Sequence, residues 1–181
     1  MSGVLKAIVL RQFPNAFDVE KTTTEGYYKT NALKPSALAG INGVVSGTIK
    51  DADNRVLSEV WTLPDYWQRV ETKSLPISVI KRDLEARIAA QFSQAGQIGV
   101  AELCDVLLSE YGMPPCNLTA FLLGFLLRPY AGDPYRYGDA AGSSGAMTAE
   151  KLKEMLGDYI ADLAKGKTPQ DTFIVEMTAE E

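Results

Sequence analysis

A chain of 181 residues, 46% apolar and 23% charged, has material for one substantial core or for a small domain with a companion, and its composition excludes wholesale disorder. The net charge of −5 is lopsided: residues 1–73 carry nine basic and eight acidic side chains, residues 74–130 four and five, and residues 131–181 five and ten, so no segment holds the Lys/Arg excess that phosphate-driven nucleic-acid binding draws on. No apolar run reaches the roughly 18 residues of a membrane span, and the start, MSGVLKAIVLRQF, lacks the length and cleavage site of a signal peptide, so a cytoplasmic protein with no membrane partner is expected.

Val4 to Leu10 is β-prone and ends at the turn Gln12-Phe13-Pro14-Asn15. Gly26 to Thr30 has the make-up of a short strand after a polar, threonine-rich connection. Residues 35–63 fit two structures. As helices, they place Gly40, Gly43 and Gly47 beside a stripe of Leu38, Ile41, Val45 and Ile49, at about 1 kcal/mol for each glycine. As a hairpin, they pair Val44–Ile49 with Val56–Leu63 around Asp51 to Asn54. The spacing of Val56, Leu57, Val60 and Trp61 tips the balance towards helices. The break at Leu63-Pro64-Asp65 and the polar run Thr72-Lys73-Ser74 divide the chain into an N-terminal subdomain of open α/β structure, 1–73, and a second domain, 74–181. Tyr27, Tyr28, Trp61, Tyr66 and Trp67 fit either a stacking or binding surface or, as aromatics near a division, a set that knits the two parts together, and the second is expected.

Beyond it the periodicity sharpens. Ile77, Ile80, Leu84, Ile88 and Phe92 mark one face of an amphipathic helix that starts near Ser74 or Ser78 and ends at Gly96. A short strand around Ile98 leads to a helix from Ala101 to Tyr111, and Gly112, Pro114 and Pro115 force a turn because proline has no N–H with which to continue a helix. Asn117 is placed to cap the next helix, Leu118 to Leu127, which is apolar nearly all round and must be covered on most of its surface. Tyr135-Arg136-Tyr137 reads as a strand and Ala140 to Ala146 as a mobile tip. Thr148 caps a last helix with the stripe Leu152, Met155, Leu156, Tyr159, Ile160 and Leu163, closed by Lys165 and Gly166. Thr172 to Met177 is a strand able to join Tyr135–Tyr137. The expected fold class is therefore α+β, mainly α, with a winged helix-turn-helix core and a small N-terminal subdomain.

Chemistry is thinly represented. With no histidine, the commonest general base is absent, and two cysteines twelve residues apart cannot complete an ordinary zinc site. Cys104 and Cys116 are expected as buried free thiols. Ala161 to Thr168 has the spelling of a relaxed phosphate loop, but the match begins inside a helix and Pro169 follows it, the reverse of the strand–loop–helix order that exposes backbone N–H groups. Ser78 and Lys81 are one helical turn apart with no oxyanion-hole motif. No enzyme, cofactor or metal site is expected.

A helix that reads a DNA groove presents polar side chains on its outer face. The least bulky face of the apolar helix contains Asn117, Ala120, Gly124 and Arg128, polar only at its ends, which suits close approach by another protein element. Arg136 between Tyr135 and Tyr137 fits either a phosphate contact or a solvated arginine between packed tyrosines. The candidate contact residues are Asn117, Thr119, Arg128, Tyr135, Arg136 and Tyr137.

The run Tyr111-Gly112-Met113-Pro114, the apolar helix behind it and the tyrosine-bearing strand resemble winged-helix segments of large prokaryotic BREX-type phage-defence ATP-binding proteins over roughly residues 77–137. Met113 stands where that family has a second aromatic. The resemblance implies a module of a multidomain defence or nucleic-acid-processing machine; no ATPase motor residues lie in this chain to carry over. The expected function is a noncatalytic winged-helix interaction module, a fragment or subunit of a larger assembly with a protein partner. The alternative is a DNA-binding transcriptional regulator using Asn117, Thr119, Arg128 and Arg136.

Overall fold

A computed structural model describes residues 29–42 and 76–177, together with Ile8, Arg11 and Gln12. In chain order these residues form α1 (Leu33–Asn42), α2 (Pro76–Ala95), β1 (Gln97–Gly99), α3 (Val100–Asp105), α4 (Asn117–Leu127), β2 (Tyr135–Asp139), β3 (Ser144–Ala146), α5 (Ala149–Ala164) and β4 (Thr172–Glu176). The class is α+β and mainly helical, with one small antiparallel sheet in the order β1-β4-β2-β3. Most of the strands expected at Gly26–Thr30 and Val4–Leu10, the hairpin alternative beyond Asn42 and the aromatic residues 61–67 lie outside the described residues; Ile8, Arg11 and Gln12, which are described, are helical and not strand and turn. Within them, the helical reading holds for Leu33–Asn42.

α2 buries Ile80, Leu84 and Ile88, spaced four apart so that they stack along one face. Gly96, at φ +66°, stops it by donating its N–H to Phe92 O, and the chain turns directly into β1. α3 runs on into a single π-helical turn, Val106–Glu110. The extra residue in that turn shifts the helix end by one position, so Gly112 at φ +63° lets Met113 N–H reach back to Leu107 O, 2.9 Å away. Side chains then lock this end to α2. Asp83 Oδ2 accepts from Tyr111 Oη at 2.7 Å and from Arg87 Nε at 3.1 Å, while Arg87 also donates to Glu110 at 2.7 Å.

All eleven residues of α4 are buried. Its seven large apolar side chains, Leu118 to Leu127, contribute about 1.5–3 kcal/mol each on burial, which far outweighs the penalty of about 1 kcal/mol for Gly124 in a helix interior. That glycine serves the packing. A Cβ on Gly124 would lie 2.3 Å from Ala37 O, and one on Gly40 would lie 2.1 Å from Phe121 O, so α1 and α4 touch backbone to backbone where both lack a side chain. A third glycine, Gly157 of α5, lies against the backbone and stem of Lys34, whose Nζ pairs with Glu154 and, at 2.9 Å, with Asp158. Leu33, Ala37, Ala39 and Ile41 thereby enter the same core as Ile80, Leu107, Phe121, Leu152 and Ile174.

α5 starts where the sequence expects, with Thr148 Oγ1 accepting from Lys151 N at 3.1 Å, and buries Leu152, Met155, Leu156 and Ile160. Its end is a Schellman turn: Gly166 at φ +70° donates to Leu163 O, and Lys167 donates to Asp162 O at 2.9 Å. β4 pairs with β2 in the register Arg136↔Val175 and Tyr137↔Ile174, so the two strands expected to join do so. The expected mobile tip is instead a turn followed by β3. Asp139 Oδ1 accepts from both Ala141 N and Ser143 N, which folds the chain back so that Ser144–Ala146 pairs with β2.

Candidate functional site

The polar residues of α4, Asn117 and Thr119, turn inward. Asn117 does not cap its own helix. Cys116 occupies that position without a side-chain bond to the helix backbone, its Sγ lying instead 3.6 Å from Thr119 Oγ1, and Asn117, 2% exposed, reaches across to the start of α1. Its Oδ1 accepts from Ala32 N at 3.1 Å, its Nδ2 donates to Asn31 Oδ1 at 3.2 Å, and its own N–H donates to Lys29 O at 2.8 Å. One asparagine thus satisfies a donor at the start of α1 that has no partner within that helix. Thr119, fully buried, donates through Oγ1 to Pro114 O at 2.6 Å and closes the turn between α3 and α4. In this fold neither side chain is available to an outside molecule.

The small face formed by Asn117, Ala120 and Gly124 is also occupied. Its neighbour is α1 of the same chain, which supplies the close-approaching element that this face suits. No interaction with a second protein is required to cover it.

The remaining candidates stay near the surface. Arg128 is exposed at the start of the 3₁₀ turn Arg128–Tyr130, with its guanidinium 4.3 Å from the ring centroid of Phe125. Tyr130 of that turn meets Tyr135 edge to face at 5.1 Å, and both rings lie against Phe92 of α2, at 4.9 and 5.7 Å. Burial, then Tyr135 and Glu85, push the Tyr130 phenol above its ordinary range, so it is a neutral hydroxyl at physiological pH. Strand alternation sends Arg136 to the other side of β2 from Tyr135 and Tyr137. Arg136 is exposed; Tyr137 is half-buried beside Gly145, with Lys151 Nζ 3.8 Å from its ring centroid. The tyrosines pack and the arginine is solvated. The structure therefore packs Tyr135 against Tyr130, seats Arg128 on Phe125, and places Arg136 and Tyr137 on opposite faces of the same strand.

Phe92 and Tyr130, which the sequence does not single out for a site, complete this surface. Phe92 sits at the end of a regular apolar stripe and reads as core, and nothing in the sequence brings it to within ring contact of residue 135.

The other constellations have structural roles. The backbone N–H groups of Lys165, Gly166 and Lys167, inside the phosphate-loop spelling, all donate to carbonyls of α5. Cys104 and Cys116 are buried free thiols, and burial raises Cys104 to about 12, where the reactive thiolate is scarce. Among the described residues no group of three or more His, Cys, Asp or Glu side chains could hold a metal ion, and no helix is long and apolar enough to cross a membrane.

No family model, no curated protein and no solved structure matches the chain.

Proposed function

We propose that this chain is a noncatalytic interaction module of the winged-helix type, working within a larger assembly. The observation that carries this reading is that α4, the helix in the place of a groove reader, is completely buried within the chain and has no face left to read bases, so a contact with a partner has to use other surfaces. The strand order supports the architecture. A winged helix pairs its first, third and second strands in that order, and β1, β4 and β2 lie so, with β3 and α5 inserted between the second and the third. With Asn117 and Thr119 engaged internally, the candidate residues that remain near the surface for a partner are Arg128 of the 3₁₀ turn and Tyr135, Arg136 and Tyr137 of β2. A module of the kind that residues 77–137 resemble would serve a phage-defence or nucleic-acid-processing assembly.

The exposure of Arg128 and Arg136 favours DNA as the rival partner. Fluorescence anisotropy with a labelled duplex at two salt concentrations separates the two. Two arginines neutralise at most about two phosphates, which gives a shallow salt slope of about 2, so no tight, salt-steep binding is expected. Micromolar binding that is abolished by Arg128→Ala with Arg136→Ala would replace the protein-partner reading with the DNA one. In pull-downs from the native host, a partner retained by wild type and by Cys104→Ser but lost from the Arg128→Ala, Arg136→Ala pair would support it.

A further inference from the structure

We draw no further inference here: the strongest candidate, the surface patch of half-buried rings formed by Phe92, Tyr130 and Tyr135 between α2 and β2, is continuous with the site already described, and nothing in the structure shows what covers it.

Discussion

Gly124→Ala tests the central contact of this fold, because two opposed effects predict opposite signs. In an exposed helix the substitution would stabilise by about 1 kcal/mol through helix propensity. Here the new methyl would sit 2.3 Å from Ala37 O, 3.1 Å from Ala37 C and 3.2 Å from Ala37 Cα, all backbone atoms with no rotamer to change. Ordinary contact begins near 3.4 Å, so α1 would have to retreat by about 1 Å as a unit. Overpacking of a core costs about 1–3 kcal/mol, and a rigid backbone neighbour puts this site at the upper end. Less the propensity gain, the net loss is about 2 kcal/mol, or about 4–8 °C in Tm for a chain of this length. Urea melts and thermal circular dichroism of the full chain would measure it. Gly132→Ala is the control, since nothing lies within 4 Å of its Cβ and no loss beyond about 0.5 kcal/mol is expected. Gly40→Ala meets Phe121 O at 2.1 Å and should behave like Gly124→Ala, and the double variant should lose less than the two single losses together because the helices have already separated. A Gly124→Ala protein as stable as wild type would overturn the backbone contact between α1 and α4.

Other expectations follow from the same geometry. Asn117→Ala leaves the buried Ala32 N–H without its acceptor and should cost about 1–3 kcal/mol; an unchanged urea midpoint would mean that the side chain is free for outside contacts after all. Lys34, held above its ordinary range by Glu154 and then Asp158, and Glu154, held below its ordinary value by Lys34, form a partly exposed cluster whose worth is at most about 1 kcal/mol after solvent screening. Because the Glu154 carboxyl is depressed in the folded chain, its share is present above the ordinary value of 4.5 and is lost as the pH falls through the lower folded value. The raised Lys34 has the mirror dependence: its share is present below 10.5 and is lost as the pH rises through its higher folded value. Lys34→Met should flatten the acid limb of a stability–pH curve slightly, and equal limbs in the two proteins would count against the pair. Thiol titration with an aromatic disulfide reagent should find neither cysteine reactive in the native chain and both reactive in denaturant; fast native labelling of Cys104 would contradict its burial.

Where a segment's structure depends on its own spacing and termini, it was legible in the sequence. α2 and α5 follow from apolar stripes at helical spacing, Thr148 and Gly166 bracket α5, and Gly96 ends α2, because caps and stripes involve residues only three to five positions apart. Residues 35–63 were harder because glycine-rich, weakly periodic letters fit a helix and a hairpin alike, and α1 gains most of its stabilisation from what it packs against. Half of the candidate site is legible in the sequence. Arg136, solvated between packed tyrosines, depends only on strand alternation. Capping is ordinarily local, so the sequence points Asn117 to the nearer helix end, whereas its actual partner is 85 residues away in sequence.

By itself the sequence determined that α4 must be covered, since an all-round apolar helix cannot face water, and that its thinnest face, around Gly124, invites close approach. Only the tertiary structure decided what covers it. Gly40 and Gly124 are more than eighty positions apart, and their complementarity exists only once the two helices cross. That crossing draws Asn117 inward, while the turn at Pro114 holds Thr119, and Arg128 and Arg136 stay exposed on the 3₁₀ turn and β2. A missing side chain on each helix lets the backbones meet, and no local pattern in either segment encodes the other.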